Sequence, residues 1–180
     1  MVEDRLLIFR CKRGSRAAFQ RIYEKYEGDL RTLAANLLND KEAAEDIVHD
    51  VFISFLQIVD KFELKSSLAG YLKTCIANKA RDYVRKKQRR SIPAECTEKD
   101  KSNDDCPLQL VINSELLQKL NFTMNQIPYE QREVVILRLQ GRMKFKTIAT
   151  LQDVSIKTAH SRYWAGLKGL KSILNSEIEK

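Results

Sequence analysis

The sequence predicts an all-α protein of two small helical domains: apolar residues recur every three or four positions along most of the chain, helix breakers are scarce, and one polar stretch without period divides it. Only six Gly and three Pro occur in 180 residues, which leaves little turn chemistry for a sheet, while a hydrophobic fraction of 43% is that of a globular chain. These signs set a first helical domain at residues 1–90, a flexible linker at 91–112 and a second domain, carrying a helix-turn-helix, at 113–180.

Taken in order, Gly14 ends a short first helix and Ser15 caps the second, whose Phe19, Ile22, Tyr23, Tyr26, Leu30, Leu33 and Leu37 form one buried stripe. Asn39 and Asp40 are good caps. After them Ala44, Ile47, Val48, Val51, Phe52, Phe55 and Val59 keep the same spacing in a third helix. Ser66 or Ser67 caps a fourth, with Leu68, Tyr71, Leu72, Cys75, Ile76 and Tyr83 inward. Pro93, Pro107 and the polar run between them read as the linker. Ser114 opens a further helix with Leu117, Leu120 and Met124; Pro128 suits the first turn of the next, which ends near Gly141, and two more follow.

A net charge of +8 and a pI near 9.3 point to a polyanionic partner, because Lys and Arg gain affinity by releasing counterions from phosphates. Composition does not separate DNA, RNA and anionic membrane. No stretch approaches the roughly 20 apolar residues of a membrane span, and the start is too short and too acidic for a signal peptide. The expectation is a cytoplasmic protein without membrane insertion. Cys11, Cys75, Cys96 and Cys106 form no CxxC pair, and with only His49 and His160 beside them they give no zinc spacing, so no metal or cofactor is expected. Cys96 and Cys106 share the linker and read either as free thiols or as a redox-sensitive pair.

Charge is distributed in three blocks. Lys79 to Arg90 holds seven basic residues against Asp82, on a helix that also carries Lys73; a run this long and one-sided suits phosphate contact, though a solvated helix end reads the same way. Phe62, Tyr71 and Tyr83 near it have the chemistry to stack on unpaired bases, but Tyr71 and Tyr83 also fit the core stripe, which leaves Phe62, in a loop, the more open. Asp40 to Asp50 holds five acids against Lys41, a face that repels DNA and suits a basic protein partner. Ile53 lies among Glu42, Asp46, His49, Asp50 and Gln57 on that face, opposite the apolar stripe.

The third block, Arg138 to Lys171, holds eight Lys and Arg against Asp153. Ala149 is small where two helices would cross, Val154 and Ala159 are apolar after the turn, and Ser155 caps a helix beginning with Lys157, Thr158, His160, Ser161 and Arg162. Short polar and basic side chains at that point reach base edges and phosphates in a helix-turn-helix. A plain helical hairpin is the alternative.

With these pieces in place, the chain resembles the bacterial sigma-70 family, in particular the small extracytoplasmic-function sigma factors. The run Ala44 to Phe52 is similar to the family's AED-[LI]-V-Q-[DE]-V-F signature, with His49 where Gln is usual. Phe62 to Leu72 and Ile76 to Arg85 look like the segment that melts and reads the −10 element, with Tyr71 in place of the usual Trp. Ile127 to Arg138 resembles the LPxxQREV-LLR opening of the fourth conserved region, whose helix-turn-helix reads the −35 element. Departures are Gln152-Asp153 for Leu-Gly at the turn, Ala159 for Val, His160 for Lys or Arg, and Gly166 and Gly169 in the last helix.

The resemblance implies a non-enzymatic transcription initiation factor whose partners are core RNA polymerase, promoter DNA and, in many members, an anti-sigma factor. It implies polymerase contacts at Glu42, Asp46, His49, Asp50, Ile53 and Gln57. Contacts to the −10 element and strand opening fall to Phe62, Lys65, Ser66, Lys73, Asn78, Lys79, Arg81, Arg85 and Lys86. Those to the −35 element fall to Lys144, Lys157, Thr158, His160, Ser161, Arg162 and Trp164. The rival reading is a free-standing helix-turn-helix regulator that binds duplex operators as a dimer, although no coiled-coil seam offers the dimer contact. A nucleic-acid enzyme is disfavoured by the absence of a P-loop, GxSxG or HExxH motif.

Overall fold

The computed structural model describes residues 2–64, 66–90 and 122–178. Lys65, the linker with Cys96 and Cys106, and the opening of the helix expected from Ser114 lie outside the described residues. Among those described there is no strand. The first group of helices is α1 (Val2–Lys12), α2 (Arg16–Leu38), α3 (Lys41–Ile58) and α4 (Leu68–Arg90), with a single 3-10 turn at Val59–Lys61. The second is α5 (122–126), α6 (Tyr129–Leu139), α7 (Phe145–Gln152) and α8 (Ile156–Ile178).

Helix limits follow local chemistry. The Ser15 hydroxyl accepts from the Ala18 amide at 3.3 Å and the Asp40 carboxylate from that of Ala43 at 3.0 Å, each satisfying an amide that has no partner within its helix. Gly14 (φ +79°) and Asn39 (φ 53°) take the left-handed turns that separate α1, α2 and α3, a conformation open to Gly and tolerated by Asn. At the start of α4 the cap is Ser67, whose hydroxyl accepts from the Gly70 amide at 3.1 Å.

The apolar stripes meet as their spacing predicts. Ile22, Leu30, Leu33 and Leu37 of α2 pack with Val51, Phe52 and Phe55 of α3 and Leu68, Leu72 and Ile76 of α4, all at most 2% exposed. Each such side chain contributes roughly 1.5–3 kcal/mol by leaving water. The helix α1 is pinned by a polar contact: the buried Asp4 carboxylate accepts from Tyr26 Oη at 2.8 Å and from Lys25 Nζ at 2.9 Å. Burial and this carboxylate push the Tyr26 hydroxyl up to about 12.

The two groups of helices pack against each other, α2 against α6 and α4 against α7. Val134, Leu137, Met143 and Ile148 belong to the same buried cluster as the core of the first group. A smaller cluster of Ile127, Val135 and Leu170 joins α6 to α8.

Candidate nucleic-acid and partner interfaces

Every residue expected on the acidic face of α3 is exposed: Glu42, Asp46, His49, Asp50, Ile53 and Gln57. Ile53 is not alone there, because Leu56, three residues on, is, like it, 42% exposed, so the surface offers apolar contacts beside its carboxylates. Asp50 is shared with the neighbouring basic helix, its carboxylate lying 3.0 Å from Lys79 Nζ.

On α4 the expected residues divide. Arg85 and Lys86 are fully on the surface with Lys87 and Arg89, and Asn78 and Ser66 are exposed. Phe62 is only half-buried, but its ring packs on Phe55 (centroids 5.2 Å apart) and Tyr71 (4.7 Å), so the loop aromatic is anchored in the core rather than free. Tyr71 and Tyr83 follow the core reading. Burial pushes the Tyr71 hydroxyl up to about 12, and Tyr83 donates to Asp40 at 3.2 Å. Lys73 is half-buried, its Nζ donating to the Gly141 carbonyl at 3.3 Å.

Arg81 departs most from the expected exposed cation. It is 9% exposed and its Nη2 lies 2.6 Å from Oε2 of Glu133, which is 1% exposed. The spacing rule placed it beside the basic tip, yet it sits one turn too far back, under α6. Between this region and the 141–144 turn a cleft of about 1020 Å³ opens, with Phe62 and Tyr71 against Arg5, Lys73, Arg142 and Lys144.

The helices α7 and α8 form the expected helix-turn-helix. Ala149 is 3% exposed and Ala159 fully buried, which lets the two helices approach, and Asp153 turns the chain in the left-handed region (φ 52°). Ser155 caps α8 by accepting from the Thr158 amide at 3.0 Å. Lys144, Lys157, His160, Ser161 and Trp164 are exposed, with Trp164 at 64%, and Thr158 is half-buried. The His160 ring stacks on Phe145 at 3.8 Å, and the Arg138 guanidinium lies 4.9 Å from the other ring centre, so His160 is held against the motif.

Arg162 turns inward. Its Nη1 donates to Gln152 Oε1 at 2.7 Å, while Gln152 Nε2 donates to Glu133 Oε2 at 2.7 Å and to the Glu130 carbonyl at 3.0 Å. The hub formed by Glu133 and Gln152 was not singled out from the sequence. Its signal was present: a carboxylate beside Val134, Val135, Ile136 and Leu137, and an amide where the resembling family has Leu. Among the described residues no group of His, Cys, Asp and Glu could hold a metal ion, and no helix is long and apolar enough to cross a membrane.

Fold and surfaces together define an all-helical helix-turn-helix protein with an acidic face on one helix and basic faces on two others. The sigma-70 region 2 family matches residues 22–90. The chain is 26% identical to the ECF RNA polymerase sigma-E factor of Escherichia coli, over 98% of this chain and 97% of that one. It is 29% identical to the ECF RNA polymerase sigma factor SigX of Bacillus subtilis, over 89% and 87%. A similar fold occurs in the sigma factor RpoE of Bartonella quintana solved with the anti-sigma factor NepR, at 23% identity and a TM-score of 0.66, covering 87% of this chain and 96% of that one. Over nearly its whole length, then, the chain is similar to extracytoplasmic-function sigma factors, and within it residues 22–90 match sigma-70 region 2.

Proposed function

We propose that the chain docks on core RNA polymerase through the exposed face of α3 and directs it to promoters, with α4 and the loop before it engaging the −10 element and the start of α8 the −35 element. The observation that carries this reading is the segregation of charge: carboxylates and bare aliphatic side chains share one face of α3, while Arg85, Lys86, Lys87 and Arg89 crowd the tip of α4.

On this reading residues 1–90 and 113–180 are the two working domains and the segment between them spans the distance between DNA elements, since loop-closure entropy rises only slowly with length. Opening the duplex costs a few kcal/mol per unstacked step, which capture of bases near Phe62 would offset. An anti-sigma factor that covers the same surfaces completes the proposal, the similar sigma factor RpoE having been solved in complex with the anti-sigma factor NepR, and the work is done in the cytoplasm.

Run-off transcription from a promoter library, with purified chain added to core polymerase, tests it. Specific transcripts that require the chain are expected. A chain that leaves core polymerase inactive on every template, yet binds a palindromic duplex as a twofold dimer, would refute the reading in favour of the free-standing regulator.

A further inference from the structure

We propose that the outer face of α1 is a peripheral docking surface for an anionic lipid bilayer, on which the chain lies without crossing it. The inference goes beyond the promoter and polymerase contacts above and uses none of the residues assigned to them.

The helix carries more apolar side chains than its packing uses. Leu7, Ile8 and Cys11 turn inward, are at most 6% exposed and join the core shared with α2. Val2, Leu6 and Phe9, spaced by four and three residues, stand on the opposite side and are 85%, 48% and 50% exposed. They form an apolar crest one helix wide. A single exposed aliphatic needs no explanation, but three in register on an 11-residue helix mark a contact.

Cations line both sides of that crest. Arg5 and Lys12, seven positions apart, run along one edge and Arg10 along the other, all three exposed. At its end the Arg13 guanidinium lies over the Phe9 ring, 4.3 Å from the ring centre. The acids of the helix, Glu3 and Asp4, both pair with Lys25, and Asp4 is buried. Among the described residues Arg5, Arg10, Lys12 and Arg13 make no ion pair, so their charge is left to an outside partner.

An occupant of this face must bring negative charge to the rim and apolar depth to the middle. A second copy brings the same four cations, which would repel across the joint. A nucleic-acid backbone satisfies the cations but sets hydrated phosphate and sugar against Val2, Leu6 and Phe9. An acidic helix of another protein has both chemistries, yet helices pack by seating ridges in grooves, and α1 offers a lone convex crest. The anionic bilayer matches on both counts: apolar side chains sink below the phosphates while Arg and Lys extend along the surface to the headgroups.

The surface is also built in advance. Asp4, held by Tyr26 at 2.8 Å and by Lys25 at 2.9 Å, fixes the helix on α2, so no ordering of coil opposes binding. The contact is reversible, since each cation near an anionic surface strengthens binding only about fivefold.

The test sediments the full chain, without core polymerase or DNA, with sucrose-loaded vesicles of phosphatidylcholine holding about 30% phosphatidylglycerol. Wild type should bind them at least about tenfold more strongly than vesicles of phosphatidylcholine alone. Leu6→Gln with Phe9→Gln keeps the net charge and should lower the partition coefficient about tenfold. Arg10→Ala with Arg13→Ala should lower it roughly twenty-fivefold. All four side chains face water, so circular dichroism should find each variant folded, with a Tm within a few degrees of wild type.

Undiminished sedimentation of either folded variant overturns the proposal, because adhesion would then come from elsewhere on this basic chain. Wild type that stays in solution beside the anionic vesicles overturns it as well. In that event anisotropy with a labelled amphipathic peptide of leucine and glutamate, and sedimentation velocity of the chain alone, decide whether an acidic protein or a second copy takes the face instead.

Discussion

Gly166 of α8 lies against Val135 of α6 so closely that a Cβ at position 166 would stand 2.9 Å from Val135 Cγ2 and 3.3 Å from the Gln131 carbonyl oxygen. From the sequence this glycine is one of two that interrupt the last helix; packed, it lets α6 and α8 come close together.

Gly166→Ala is therefore expected to destabilise the protein. Helix propensity alone favours Ala by about 1 kcal/mol, but forcing a methyl against a buried valine and a backbone carbonyl costs roughly 1–3 kcal/mol. Thermal denaturation followed by circular dichroism should show a lower Tm than wild type. A higher one would mean that α6 and α8 are not so closely packed.

Gln152 gives a second expectation. It is 8% exposed and holds Glu133 and Arg162 together, and Oε1 of Glu133 is already buried without a hydrogen-bond partner. Gln152→Leu, which restores the residue found in the resembling family, removes the amide donor from a buried carboxylate and should cost about 1–3 kcal/mol. Urea denaturation measures it. A neutral or stabilising result would show that Arg81 alone satisfies Glu133.

The pinning of α1 carries a pH dependence. Burial raises the carboxyl of Asp4, but the hydrogen bonds from Lys25 and Tyr26 outweigh it and hold that group below the ordinary aspartate range. A depressed folded-state value contributes stability above the unfolded value, near pH 4, which is lost as pH falls through the folded one. Asp4→Asn should thus be less stable than wild type by roughly 1–2 kcal/mol at pH 7, discounted because Lys25 is partly hydrated, with the gap closing below about pH 4. A gap that persists at low pH would assign the effect to packing.

Much of the fold was legible because its elements obey one period. The stripe of α3 is buried residue for residue and that of α2 except for the half-buried Phe19 and Tyr23, and Ser15, Asn39, Asp40 and Ser155 cap or turn where their side-chain chemistry allows. The exposed acidic face of α3 follows from the same arithmetic. What periodicity cannot supply is contact between elements far apart in sequence. Arg81 and Glu133 stand 52 positions apart, and nothing local tells a basic helix that one of its cations will be covered. Arg162 likewise looks like its neighbours Ser161 and His160 until Gln152, on the preceding helix, is seen to claim it.

The acidic face offers the cleanest separation of binding from stability. Glu42, Asp46 and Asp50 are exposed, and among the described residues the ion pair given up by reversing Asp46 and Asp50 is that of Asp50 with the partly exposed Lys79, a class of contact worth about 0–1 kcal/mol. Asp46→Lys with Asp50→Lys should leave the Tm within a few degrees of wild type while abolishing co-elution with core RNA polymerase. Arg85→Ala with Lys86→Ala, at the exposed tip of α4, should do the reverse: polymerase binding intact, promoter opening weakened, and a smaller dependence of DNA affinity on salt because two fewer phosphates are neutralised. Potassium permanganate footprinting of the −10 region reads the opening. Undiminished co-elution of the first variant removes α3 as the docking face, and undiminished opening by the second removes the tip of α4 from the DNA.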